Sequence, residues 1–247
     1  MHKDKLNSRV ILITGASRGI GRAIALRFAK EKCKIYVNYR QDKNAADEVV
    51  KEIVKLGADA VAVQADISDS GAVDAMAKTI IEADGRLDVL INNAGICKNT
   101  TVANMDENTW DDVIKTDLNS AFYMTRTFSK PLMKQRYGSI INIASISGVK
   151  GAFGSSNYAA AKGGLISLTK SSAMELGRFG VCVNAVLPGF HLTDMGKHAT
   201  ERYLQEVKDS SVLGLSTDMD ELTEFIHLLS KAKTVSGQVF NWDSRII

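Results

Sequence analysis

The sequence predicts an α/β fold: a mainly parallel, doubly wound, seven-stranded sheet with helices on both faces. Short apolar, β-branched runs alternate with stretches of helical period from one end of the chain to the other, which argues for parallel strands joined by covering helices. No internal repeat, proline-rich linker or low-complexity stretch interrupts this alternation. At 247 residues the chain suits one domain with a large core, so residues 1–247 are read as a single domain.

The first element organises the rest. Val10-Ile11-Leu12-Ile13 is too short and too β-branched for a helix and reads as a strand. Thr14-Gly15-Ala16-Ser17-Arg18-Gly19-Ile20-Gly21 follows, with glycines in a G-x-x-x-G-x-G spacing; Ile20, Ala23, Ile24, Arg27 and Phe28 then recur at helical steps. A strand feeding a glycine turn that opens a helix leaves backbone N–H groups unpaired at the positive end of that helix. A pyrophosphate fits there, and only glycine lets the main chain come so close. The spacing departs from G-x-G-x-x-G, so it matches the Rossmann-type dinucleotide pattern in logic rather than in letter. The plainer alternative is an ordinary tight βα turn.

The remaining elements follow in order. A strand over Lys34–Arg40 leads to a helix over Asn44–Leu56, stopped by Gly57. A strand over Ala58–Gln64 closes in Ala65-Asp66, and a helix spans Ser70–Ala83. The strand Leu87–Ile91 runs into Asn92-Asn93-Ala94-Gly95. A long helical stretch covers Asp106–Arg136, with a bend expected near Pro131. Strand Ser139–Ala144, helix Ser155–Arg178 and strand Val181–Val186 come next. Gly189–Leu215 reads as short helices forming a substrate lid. Helix Asp220–Lys231 and strand Gln238–Trp242 finish the sheet.

Composition narrows the function. A net charge of +3, spread evenly, gives no footprint for nucleic acid or a membrane surface. No apolar run reaches the roughly 18 residues of a membrane span, and no apolar leader precedes the first strand, so a cytoplasmic location is expected. Cys33, Cys97 and Cys182 lack disulfide or C-x-x-C spacing, and His2, His191, His198 and His227 form no ligand pattern, so no metal site is expected.

The end of the second strand selects the dinucleotide. An acidic residue there binds a ribose 2′-hydroxyl, whereas a basic one pairs with a 2′-phosphate. Here it reads Asn38-Tyr39-Arg40, with no carboxylate until Asp42, and Arg18 in the glycine turn supplies a second guanidinium. NADP is therefore favoured over NAD. The alternative is that both arginines are solvated surface charges.

The chemistry gathers in Ser145-Ile146-Ser147-Gly148 through Tyr158-Ala159-Ala160-Ala161-Lys162. Tyr158 and Lys162 lie one helical turn apart on one face. An ammonium there favours phenolate and lowers a pKa that starts near roughly 10, which suits Tyr158 as general acid for carbonyl reduction. Lys162 can also hold ribose hydroxyls. Ser145, closing the fifth strand, can hydrogen-bond the substrate oxygen as charge develops. Alone, Tyr-x-x-x-Lys would more often be a snorkelling surface pair; the serine and the glycine turn argue otherwise.

These segments, with Asn92-Asn93-Ala94-Gly95 and Pro188-Gly189, resemble the short-chain dehydrogenase/reductase family along nearly the whole chain. Ile141-Asn142-Ile143-Ala144-Ser145, Asn157 to Gly164, and Pro188-Gly189-Phe190 followed by Thr193-Asp194-Met195 are similar to the bacterial 3-oxoacyl-[acyl-carrier-protein] reductases of fatty acid biosynthesis. The resemblance implies that Gly15, Ser17, Arg18, Gly19, Ile20 and Gly21 hold the pyrophosphate and 2′-phosphate of NADPH. Asp66 and Ile67 would contact adenine, and Asn93 and Gly95 the nicotinamide-side ribose. Pro188, Gly189, His191 and Thr193 would align the carboxamide, and a hydride would pass to a ketone carbon while Tyr158 protonates its oxygen.

Three departures from the family matter. Asp117 stands where an asparagine usually supports a proton-relaying water beside the lysine, and a carboxylate there would change the local pKa values. The C-terminus reads Asn241-Trp242-Asp243-Ser244-Arg245 instead of a glycine-rich turn at what, in relatives, is a homotetramer interface. Arg136 matches one basic position for docking an acyl carrier protein, but Phe179 takes the other, with Arg178 shifted by one. The favoured function is NADPH-dependent reduction of a 3-oxoacyl thioester. The alternatives are reduction of another small ketone, sugar or alcohol, and a non-catalytic NADP-binding regulator.

Overall fold

The computed structural model describes residues 8–193 and 201–247; Asp194, Met195, His2, His198 and part of the expected lid lie outside them. The described residues contain one seven-stranded sheet, every strand parallel to its neighbours, in the order β3-β2-β1-β4-β5-β6-β7. The strands are β1 (Arg9–Ile13), β2 (Cys33–Tyr39), β3 (Asp59–Gln64), β4 (Val89–Asn92), β5 (Gly138–Ile143), β6 (Val181–Leu187) and β7 (Val239–Asn241). The expected doubly wound sheet is the observed one.

Period-two geometry explains why the inner strands are apolar throughout. Ile11 and Ile13 of β1 pack with α1 (Gly19–Phe28), α2 (Lys43–Lys55) and α9 (Met219–Leu229). Val10 and Leu12 face the other way, towards α3 (Ser70–Asp84), α5 (Ser120–Gln135) and α7 (Ser156–Leu176). The order of strands reverses between β1 and β4, which opens a crevice at their C-terminal ends, where ligands of such sheets sit. The segments after β1, β4, β5 and β6 all lie at that end.

Two expectations need correction. The long helical stretch departs from regular winding at Lys115–Asn119, a π turn between α4 (Glu107–Ile114) and α5, whereas Pro131 sits inside α5. Within that π turn the Asp117 carboxylate turns inward and accepts the Ile96 N–H at 2.7 Å. Secondly, β5 ends at Ile143, so Ser145 stands on the loop beyond it, before the short α6 (Ser147–Lys150). Within the lid region, α8 (Glu201–Asp209) is the described helix. Trp242 stacks on Phe225 of α9, with ring centroids 4.4 Å apart, so the altered C-terminus is packed on its own chain.

Asn38 ties the glycine turn to the sheet. Its Nδ2 donates to the carbonyls of Val63 and Ala65 (3.3 and 3.2 Å), and its Oδ1 accepts the Gly15 N–H at 3.4 Å. Truncation leaves buried carbonyls unsatisfied, so Asn38→Ala is expected to cost about 1–3 kcal/mol. A fall in the urea unfolding midpoint at unchanged slope measures it; an unchanged midpoint would show these bonds to be dispensable.

Candidate active site

The glycine turn is built to receive something without side chains in the way. Aspartates cap α2, α3, α4 and α9, but α1 begins at Arg18 with no side-chain cap and no acidic residue in its first turn. Gly15 and Gly19 hold φ of +61° and +55°, a region that favours glycine. A Cβ on Gly21 would lie 2.5 Å from both the Gly15 carbonyl and Asn93 Nδ2. The bare, positive helix start fits a pyrophosphate. Beside it runs an open crevice of about 670 Å³ lined by Arg18, Gly19, Arg22, Ala23, Leu192, Thr193 and Met219. Ser17 and Ile20, in the same turn, are half-buried.

The β4 loop is stitched to this turn. Asn93 Nδ2 donates to the carbonyl of Thr14 at 2.9 Å, and the Asn93 and Ala94 N–H groups donate to Thr14 Oγ1. Asn93 therefore braces the turn with its side chain. On the other wall, Thr193 lies against Gly19. Pro188 is buried, and Gly189 at φ +81° leaves no room for a Cβ beside Thr217. His191 donates from Nε2 to the Pro188 carbonyl at 2.8 Å, and burial holds its pKa below the usual value, so the neutral ring braces the backbone.

The side chains at the end of β2 turn inward. Asn38 and Tyr39 are buried, and Asn38 is taken up by the Gly15 N–H and the carbonyls of Val63 and Ala65. Arg40 is the first exposed residue after β2, and its Nη1 lies 4.0 Å from Asp66 Oδ2. Asp66 itself accepts from Ser68, while Ile67 packs into the core.

Ser145, Tyr158 and Lys162 come from the segments that follow β5, at the same C-terminal end of the sheet, and are brought together by close backbone packing. A Cβ on Gly148 of α6 would lie 2.6 Å from the Lys162 carbonyl carbon, and one on Gly164 of α7 would lie 2.8 Å from Leu118 Cδ2 in the π turn. Glycines at these positions let α6, α7 and the π turn meet around one side chain. Lys162 is 4% exposed, and its ammonium has three donors to place. It donates to the Ile143 carbonyl at 3.1 Å, sits 3.2 Å from Asp117 Oδ2, and lies 5.4 Å from the Tyr158 ring centroid.

Burial works against the Lys162 charge, but Asp117 and Tyr158 outweigh it and its pKa is raised. Burial pushes the Asp117 carboxyl up, against the pull of Lys162 and the Ile96 N–H. The Tyr158 phenol is raised by burial; Lys162 pulls it down, Asp117 and Cys97 push it up, and a hydrogen bond with Ser145 favours the phenolate. The sequence reading missed Cys97, whose position after Gly95-Ile96 was the available signal. It also missed Asn157, which accepts the Tyr158 N–H and donates to the carbonyls of Lys98 and Thr109, fixing the start of α7. Arg136 and Arg178 both stack on Phe179, at 5.9 and 4.9 Å. They lie by the N-terminal ends of β5 and β6, the end of the sheet away from Ser145.

A crevice at the strand reversal, a bare glycine turn and a half-buried Tyr158 one helical turn from the buried Lys162, beside a serine, define the class, and the chain belongs to the short-chain dehydrogenase family, whose model matches residues 9–204. It is an oxidoreductase acting on CH–OH/C=O groups. It is 41% identical to the 3-oxoacyl-[acyl-carrier-protein] reductase of Synechocystis sp., covering 98% of each chain. It is 42% identical to the 3-oxoacyl-[acyl-carrier-protein] reductase FabG of Staphylococcus aureus, covering 93% of this chain and 94% of that protein. A crystal structure of an actinorhodin polyketide ketoreductase variant with NADPH superposes with a TM-score of 0.90 at 30% identity, covering 96% of this chain and 97% of that one. No helix among the described residues is long and apolar enough to cross a membrane.

Gly95 shares space with the Asp117 carboxylate: a Cβ there would lie 2.5 Å from Oδ2. Gly95→Ala is expected to cost about 1–3 kcal/mol, as overpacking does. In an Asp117→Ser background the cost should shrink, read by chemical denaturation of the four proteins. Equal costs in both backgrounds would place the clash elsewhere.

Proposed function

We propose that this chain is an NADPH-dependent reductase that converts a carbonyl to a hydroxyl, with a 3-oxoacyl thioester carried by acyl carrier protein as the favoured substrate. The observation that carries the reading is the buried Lys162 ammonium beside Tyr158, at the same end of the sheet as a glycine turn whose backbone is bare. The similarity to 3-oxoacyl-[acyl-carrier-protein] reductases supports the substrate class. We read residues 1–247 as one domain, with 189–215 forming its substrate lid.

The dinucleotide, when bound, supplies the hydride. The glycine turn from Gly15 to Gly21 would hold its pyrophosphate, and Arg18 and Arg40 its 2′-phosphate; Asp66 and Ile67 would lie at the adenine. Asn93, Gly95 and the Pro188–Thr193 segment would bound the nicotinamide half. Ser145 donates a hydrogen bond to the substrate oxygen, lowering the cost of the negative charge that develops there. Tyr158 delivers the proton to that oxygen, and burial keeps it protonated and ready as an acid. Lys162 gives one donor to the Ile143 carbonyl, and its remaining N–H groups would hold a ribose hydroxyl. Most of the acceleration would come from positioning and from this preset polar site.

Tyr158→Phe is expected to lower turnover of an acetoacetyl thioester by about 10²-fold or more, with NADPH affinity within about twofold of wild type. A steady-state assay with a fluorescence titration of NADPH checks both. Near-normal turnover would remove Tyr158 as the acid. Binding of NADPH by the wild type without turnover of any ketone would instead favour a regulator.

Arg40→Asp is expected to weaken NADPH by about tenfold or more while sparing NADH, since a charge-assisted pair to phosphate carries roughly 1.5–3 kcal/mol. Titrating both dinucleotides decides it. Equal loss for the two would show that Arg40 does not read the 2′-phosphate.

A further inference from the structure

The charge count around Tyr158 carries a conclusion about which way its proton is biased. The titratable groups facing it are Lys162 from α7, Asp117 from the π turn and Cys97 from the β4 loop, with the Ser145 hydroxyl beside its own. Lys162 faces Asp117, Tyr158 and Cys97, and Cys97 in turn faces Asp117 and Lys162. The cluster therefore holds one fixed cation. Asp117, 1% exposed and 3.2 Å from the ammonium, is taken as the anion of the cluster: that cation and the Ile96 N–H favour the charged form that burial opposes.

With Tyr158 and Cys97 neutral, that cluster sums to zero. Ionising Tyr158 would set a net negative charge against the buried Lys162–Asp117 pair, which is costly. An amide at position 117 would reverse the balance, because the phenolate would then answer a Lys162 charge that has lost its carboxylate. The carboxylate is also held in place to do this. Its Oδ1 is fixed by the Ile96 N–H, while its Oδ2 is buried with no aligned hydrogen-bond donor and faces Lys162 through charge. Gly95 leaves the space that this carboxylate fills.

We propose that Asp117 is a positioning residue that serves as the internal counterion of Lys162, so that Tyr158 stays a phenol and the site is biased towards donating a proton rather than removing one. This deepens the reductase reading and rests on it for the direction of chemistry, but the charge relation itself is a property of the chain without substrate. Two unit charges roughly 6–10 Å apart at an effective dielectric of about 20 shift a pKa by about one to two units. The sign is definite: removing the anion lowers the Tyr158 pKa. The loss of the phenol form, and with it reduction, then moves to lower pH. The rise of the phenolate form, and with it alcohol oxidation, moves to lower pH as well.

The test is a near-ultraviolet phenolate titration of the chain without substrate, comparing wild type with Asp117→Asn. Each is subtracted from its Tyr158→Phe counterpart to isolate one tyrosine. Asn keeps an acceptor for the Ile96 N–H and removes only the charge; Asp117→Ser serves if the Asn protein does not fold. The wild-type midpoint is expected at or above the ordinary tyrosine value of about 10, falling by about one to two units in the variant. A wild-type midpoint near neutrality overturns the proposal whatever the variants do, and so does a variant midpoint that is unchanged or higher. A correct shift in a protein that reduces no ketone would uphold the charge relation and sink the reductase reading instead.

Discussion

A buried ammonium sets the terms for the whole catalytic half of this molecule. Lys162 is almost without solvent, and an ammonium in that position is tolerated only with compensating partners. The chain supplies two, the Ile143 carbonyl and the Asp117 carboxylate, from elements far apart in sequence. To bring them within reach, α7 presents glycines to α6 and the π turn, and α5 begins with a π turn instead of regular winding. These features have one explanation in common: without them the lysine charge could not be satisfied, and Tyr158 would have no cation beneath its ring.

The glycine-turn wall of the crevice follows a different rule, in which side chains are withheld. The starts of α2, α3, α4 and α9 take an aspartate cap, which uses up N–H groups that a phosphate would need. At α1 the cap is absent and the glycines keep Cβ atoms out. Thr14, Asn38 and Asn93 then fix the exposed backbone through hydrogen bonds to side chains of neighbouring strands and loops. One wall is thus shaped by a charge that must be answered and the other by an end that is left unanswered.

Much of this was legible in the sequence because it was local. The strand–turn–helix grammar of Val10 to Phe28 and the i, i+4 spacing of Tyr158 and Lys162 need no tertiary information, and the sheet assembled as expected around them. What escaped was whatever depends on two distant segments meeting. The π turn has no local signature, since Lys115–Asn119 continues a helical period and meets its partners Ile96, Lys162 and Gly164 only once the chain has folded. Cys97 read as an unremarkable thiol until folding placed it facing Lys162 and Asp117. Asn38 and Tyr39 were expected to border the 2′-phosphate, but a parallel strand buried on both faces turns them into the interior and leaves Arg40 as the first side chain outside.

The most direct test of the central claim is a crystal structure of the chain with NADPH bound. The account predicts the pyrophosphate on the Gly15–Gly21 backbone, the Tyr158 hydroxyl facing the nicotinamide C4 edge, and Lys162 on a ribose hydroxyl while still held by the Ile143 carbonyl and Asp117. A dinucleotide seated away from the glycine turn, or a Lys162 ammonium parted from Asp117 and turned to solvent, would contradict it.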